Sequence, residues 1–136
     1  MFGGHHYKLF GPENISWSQA RDKCKALGGH LVTITSSEEN EFILSLLSND
    51  RNCWIGAEEV YLSGKWTNAY KWSTGEKFSF SYWHYGAPSR DENNYGYHHA
   101  GFSYALYGNE ANRCWRWDNL RYREDSVFDY ICEWDF

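Results

Sequence analysis

Two capped, amphipathic segments fill residues 15–47, and after Cys53 no helical period is sustained; this break constrains the fold more than any other feature of the chain. In "ISWSQARDKCKALGG" Ser16 stands where a helix N-cap is needed, and Gln19, three residues on, completes a capping box. Ile15 and Ala20 occupy the positions of a hydrophobic staple. Trp17, Ala20, Cys24 and Leu27 recur at helical spacing, and Gly28-Gly29 supplies the stop. Cys24 therefore belongs to the buried stripe of a short helix. "HLVTI" reads as a brief strand. In "TSSEENEFILSLL" Ser36 and Glu39 form a second capping box, with Phe42, Ile43, Leu46 and Leu47 as the apolar stripe.

The second half consists of short aromatic runs broken by Gly, Ser, Asn and Asp. "CWIGA", "KWSTGEKFSFSYW", "FSYALY", "CWRW" and "DYICEW" read as strands joined by turns and long loops. Two helices followed by a strand-and-loop half give an α+β fold rather than a parallel α/β one. The length of 136 residues suits a single domain, residues 1–136, large enough for a real core. Residues 82–112 carry little regular pattern, and loops of that length in a compact domain are usually functional.

Composition removes several function classes. A net charge of -5 argues against binding a phosphate backbone, so no nucleic acid is expected. No apolar run reaches membrane-spanning length, so no membrane insertion is expected. "MFGGHHYKLF" lacks the basic start and apolar stretch of a signal peptide, which leaves a cytosolic protein, a mature secreted form or one domain of a longer chain. The chain has no H-E-x-x-H, G-x-S-x-G, P-loop or dinucleotide fingerprint. Adjacent acids such as Asp91-Glu92 do not imply the defined carboxylate separation of a glycosidase. A non-catalytic role is expected. His98 and His99, being neighbours, would point to opposite faces of a strand and could not share one metal.

Cys24, Cys53, Cys114 and Cys132 form no C-x-x-C pair, which argues against a zinc ribbon or a thioredoxin-type site. Three disulfide connectivities remain open, as does buried free cysteine.

In this order the segments resemble the C-type lectin-like domain. "HHYKLF" is similar to that family's opening strand, "SWSQARDKCKALGGHLVTITSSEENEFI" to its two helices and the segment joining them, and "CWIGA" to its W-I-G strand. "KWSTGEKFSFSYW" is similar to its W-x-T-G-E segment and "YICEW" to its closing strand. The resemblance covers nearly the whole chain. It implies a fold in which two helices flank small antiparallel sheets and a long irregular loop region carries ligands. It implies a Cys24–Cys132 disulfide, hence an oxidising compartment, extracellular or at the cell surface. Here the chain departs from the family, whose second bond lies within the long-loop half, because no cysteine follows the W-N-D-like segment. A Cys53–Cys114 cross-strand bond is the expectation that remains if those strands are neighbours.

Sugar-binding members hold calcium in the long loop, and calcium takes six to eight oxygens. The resemblance carries this set over only in part. "GAPS" places Ala87 and Ser89 on either side of Pro88, so a methyl and a hydroxyl stand where carboxylate or amide ligands belong. Glu92 corresponds to a following Glu ligand, and "WDN" at Trp117, Asp118 and Asn119 to Trp-Asn-Asp with its last two residues exchanged. Glu92, Asp118 and Asn119 are thus the candidate metal ligands, with Asp91, Asn93 and Asn94 as neighbouring oxygen donors. Pro88, Asp91, Asn93 and Asn94 also read as turn residues, and that reading is preferred to a sugar-coordinating calcium of the usual kind. Core packing is the better reading of Trp117.

Aromatics make up 20% of the chain and offer a second route, stacking a ring on the apolar face of a pyranose while amides bind its hydroxyls. Tyr85, Tyr95, Tyr97 and Trp115 are the candidates. The expectation is an extracellular recognition module, part of a larger chain, that binds a glycan or glycoprotein through the long loop with calcium optional. A protein receptor bound by the same loops is the alternative.

Overall fold

The computed structural model of the chain describes residues 2–47, 51–84, 87–88, 96–105, 114–121 and 127–135. Helix α1 spans Trp17–Ala26, and its capping box closes in both directions. The Gln19 amide donates to Ser16 Oγ at 3.2 Å, and the Ser16 amide to Gln19 Oε1 at 3.0 Å. Trp17, Ala20 and Cys24 are buried, as their spacing requires. Leu27 is not: it is the C-cap, 52% exposed, because the helix has ended before the stripe reaches it.

Helix α2 spans Ser37–Leu44. Ser36 Oγ accepts the Glu39 amide at 3.1 Å, but the Glu39 carboxylate turns inward instead of completing a box. Its Oε1 accepts the Thr35 amide at 2.9 Å and its Oε2 the Tyr7 hydroxyl at 2.5 Å. Leu46 and Leu47 lie beyond the helix end and pack, with Phe42, against the core around buried Ile43.

The strands are β1 (His6–Glu13), β2 (His30–Leu31), β3 (Cys53–Leu62), β4 (Lys65–Trp72), β5 (His99–Ala105), β6 (Cys114–Leu120) and β7 (Phe128–Trp134). They form one connected sheet, ordered β1-β7-β3-β5-β6, with β2 joined to β7 and β4 to β3. The α+β class holds, but the separate antiparallel sheets expected from the sequence are fused: β3 runs parallel to β7, with Cys53 opposite Asp129 and Trp54 opposite Tyr130. Only the start of "HLVTI" is a strand. "KWSTGEKFSFSYW" is a strand only to Trp72, where the β3–β4 hairpin ends, and rejoins the sheet at Trp83 through a single bridge to Trp117. The hairpin turns on Ser63 and Gly64, at φ 52 and 79.

Both faces of the sheet are covered, which is why "CWIGA" is a continuous buried run rather than an alternating one. Cys53, Ile55 and Ala57 join one core cluster with Val32, Ile34, Ile43, Trp72, Phe102, Trp117 and Ile131. Trp54 points into the other with Ile15, Trp17, Cys24, Phe128, Tyr130 and Cys132. Gly56 is required by proximity: a Cβ there would lie 2.8 Å from the Leu31 carbonyl oxygen.

Cys24 and Cys132 form a disulfide across 108 positions of sequence. In the chain-entropy model a loop of that length confers about 4–5 kcal/mol. The expected Cys53–Cys114 bond does not form. Strand β5 lies between β3 and β6, so Cys53 faces Phe102 and Cys114 faces Ala105, and both thiols are free. Burial, with the nearby Asp129 carboxylate, pushes the Cys53 thiol well up, which keeps it protonated and inert.

Candidate functional site

Strand β6 carries the site. Trp117, fully buried, is ringed by Trp72, Phe78, Phe80, Trp83 and Phe102, all edge to face with it at 5.5, 6.1, 5.8, 5.7 and 6.4 Å between centroids. The core role read for Trp117 is therefore the observed one. Its backbone captures the start of the long loop. The Trp117 amide donates to the Tyr82 carbonyl at 2.9 Å, and the His84 amide donates to the Trp117 carbonyl at 3.1 Å. Residues 82–84 are thereby pinned alongside β6, and His84 Nε2 comes to 3.2 Å from Asp118 Oδ1. Burial raises the Asp118 pKa, and the charge and hydrogen bond of His84 only partly oppose it.

Asn119, the next residue, is buried, and its Nδ2 donates to the Tyr97 carbonyl at 3.1 Å. The Tyr70 hydroxyl donates to the same oxygen at 3.3 Å. The exchanged order of "WDN" thus sets the carboxylate against His84 and the amide against Tyr97.

Beside these lies a polar hub. Glu59 on β3 is buried; its Oε1 is 2.8 Å from His98 Nδ1 and its Oε2 accepts the Asn68 amide at 2.6 Å. The His98 ring lies on Trp66 with centroids 3.6 Å apart, whereas His99 stacks on Trp17 at 4.3 Å, so the two histidines do face opposite ways. Asn68 holds a positive φ of 60, its Nδ2 donates to the Pro88 carbonyl at 3.4 Å, and its Oδ1 is buried without a hydrogen-bond partner among the described residues. The Ala87–Pro88 peptide is cis.

A half-exposed strip runs along β5 and β6. Tyr104 pairs with Trp115 in register and their rings meet at 5.0 Å. On the other face of β6 the Arg116 guanidinium covers the Tyr82 ring at 4.5 Å and bonds its hydroxyl. The Tyr104–Trp115 pair is chemically suited to stacking on a sugar ring.

Of the residues proposed from sequence, Tyr97, Trp115, Asp118 and Asn119 are described; Asn119 meets the Tyr97 carbonyl, whereas the Asp118 carboxylate is turned to His84. Tyr85, Ser89, Asp91, Glu92, Asn93, Asn94 and Tyr95 lie outside the described residues. Glu59, Asn68, Tyr82, His84 and Arg116 were not singled out from sequence. The acidic pair after W-I-G-A and the aromatics flanking Arg116 were visible signals, but the His84–Asp118 contact was not.

Calcium is the cofactor the resemblance implies, and the described residues do not fit its oxygen shell. Ala87 offers no side-chain oxygen, the Asp118 carboxylate faces an imidazole, and the Asn119 amide is turned inward to a carbonyl.

Comparison with known proteins agrees with this architecture. Residues 13–134 match the model of the lectin C-type domain. Lithostathine-2 of Mus musculus is 27% identical over 97% of this chain and 70% of its own length. Lectin BRA-3 of Megabalanus rosa is 36% identical over 68% of this chain and 54% of its own. Among solved structures, a complex of SPL-1 with GlcNAc superposes with a TM-score of 0.75 at 28% identity, covering 99% of this chain and 90% of that one. The Ca2+-independent C-type lectin SPL-2 of Saxidomus purpuratus superposes at 0.73 and 28% identity, covering 99% and 89%. The match to the domain model over nearly the full length, on the fold described above, establishes that this chain belongs to the C-type lectin domain family.

Proposed function

We propose that the domain is an extracellular carbohydrate-recognition module that binds glycan on the β6 face of its long-loop region and does not depend on calcium to do so. One observation carries the calcium part: the Asp118 carboxylate has the His84 imidazole as its partner, Nε2 lying 3.2 Å from Oδ1. The glycan part is supported by the Tyr104–Trp115 pair, and by similarity at 28% identity both to SPL-1, solved with GlcNAc, and to the Ca2+-independent C-type lectin SPL-2. Trp115 and Tyr104 would supply the apolar platform, and the Glu59–His98–Asn68 hub would hold Pro88 and the loop base in place. The Cys24–Cys132 bond supports an oxidising, extracellular setting, and among the described residues no helix is long and apolar enough to cross a membrane.

A glycan array probed with and without chelator tests the reading. The expected result is binding to a defined sugar class that survives chelation. Binding abolished by chelator would return calcium to the site, with Glu92, Asp118 and Asn119 as its ligands. No binding in either condition would favour protein docking, for which the exposed Tyr61 and Leu62 at the hairpin tip are the apolar candidates.

A further inference from the structure

The chain ends meet at the opposite side of the sheet from β6, and they bring together a group of side chains that carbohydrate recognition does not use. Glu133 on β7 has Tyr7 of β1 as its register partner on one side and His30 of β2 on the other. His5 precedes β1 in a tight turn closed by reciprocal backbone bonds with Phe2, at 3.0 and 2.9 Å. That turn directs His5 Nδ1 to 2.6 Å from Glu133 Oε2 and 2.9 Å from Asp135 Oδ1. The ligand atoms of His5, Glu133 and Asp135 all lie within 4.8 Å of one another.

The surrounding bonds fix these atoms as a metal site requires. Glu133 is 2% exposed, and its Oε1 accepts the Thr33 amide at 3.0 Å, which leaves Oε2 turned toward His5. His30 Nδ1 donates to the Leu31 carbonyl at 2.7 Å, and its Nε2 lies 3.1 and 3.0 Å from the two oxygens of Asp135. His30 thus steers the one exposed ligand. Carboxylates and carbonyls orienting the ligating side chains are the usual outer shell of a metal centre. Together the two carboxylates carry the charge that a divalent ion neutralises.

We propose that His5, Glu133 and Asp135 form a zinc-binding site, with His30 as the residue that positions Asp135. An imidazole nitrogen with two carboxylates suits zinc, whereas calcium takes oxygen alone. The metal takes the place of the proton now held between His5 Nδ1 and Glu133 Oε2 and leaves a coordination position open toward the cavity of about 220 Å³ walled by Tyr7, Thr33 and Glu39.

The site shares no residue with the proposed glycan face, so its test is separate from that of the glycan reading. Chelator-treated protein is titrated with zinc chloride alone by calorimetry and thermal melting, for wild type, His5→Ala, Asp135→Asn and, as controls, His6→Ala and Cys114→Ser. Zinc is expected to raise the wild-type melting temperature, and both ligand variants to weaken binding at least tenfold, while the controls bind as wild type and equimolar calcium does not compete. Asp135 is 53% exposed on its side chain, so Asp135→Asn folds even if His5→Ala does not. Cobalt substituted for zinc is expected to give visible d–d bands without a thiolate charge-transfer band. Failure of the wild type to bind zinc, binding unchanged in Asp135→Asn, or binding lost in Cys114→Ser would each overturn the proposal.

Discussion

Glu59 and His98, 39 positions apart, are both buried and meet at 2.8 Å, and the carboxylate's second oxygen holds the Asn68 amide at 2.6 Å. One carboxylate therefore joins the end of the long loop to the β3–β4 hairpin. Replacing it with Ala strands the buried His98 donor, at about 1–3 kcal/mol, and the half-buried Asn68 amide. Glu59→Ala is expected to lose a few kcal/mol in urea denaturation and to weaken glycan binding through the displaced loop, while Glu59→Gln recovers part of both. Unchanged stability in Glu59→Ala would remove the hub from the account.

Trp115 and Trp117 sit two apart on β6 with different duties. Trp117→Ala is expected to lose about 3–5 kcal/mol because it empties the centre of the aromatic ring. Trp115→Ala should stay within about 1 kcal/mol of wild type while weakening glycan binding roughly tenfold, the worth of one stacking face. Calorimetry of both variants with the sugar identified on the array decides it, and glycan affinity unaltered in Trp115→Ala would place recognition elsewhere.

Thiol chemistry checks the cysteine assignment. Half-buried Cys114 is expected to react slowly in the native protein and Cys53 only after unfolding, while Cys24 and Cys132 require a reductant. Mass measurement after alkylation under native, denaturing and reducing conditions counts them. Removing the Cys24–Cys132 bond by paired alanine substitution should lose about 2–5 kcal/mol.

Burial, with the charges of His98 and Arg21, holds the His99 pKa down at about 4, from an ordinary 6.5. Arg121 lines the same cavity as His99. As pH falls from 6.5 toward 4, the unfolded chain takes up this proton and the folded chain does not, so the unfolded state is favoured and stability drops across that window. His99→Phe keeps a ring on Trp17 and removes the titration. Its melting temperature relative to wild type is expected to rise between about pH 7.5 and about pH 5. A constant difference would mean His99 is not held neutral.

Local chemistry made much of the scaffold legible. The Ser16–Gln19 box, the Trp17–Ala20–Cys24 stripe and the "CWIGA" strand depend on neighbours a few residues away and came out as read. Leu27 and the second capping box show the limit of that reasoning. Spacing says where a side chain could point, but not that the helix stops first or that Tyr7 and Thr35 compete for the Glu39 carboxylate. The Cys53–Cys114 expectation erred for a related reason: two strands flanking a loop region need not be adjacent, and β5 came between them.

What the sequence alone determined was the set of elements, their amphipathic faces and the family to which they belong, because caps and periodicity are short-range. The tertiary structure decided the site. His84 reaches Asp118 only because Trp117 holds residues 82–84 along β6, and His5 reaches Glu133 only because the two ends of the chain pair in one sheet. Charges that meet across 34 or 128 positions leave no periodic trace in the chain; strand register alone brings them within reach of each other.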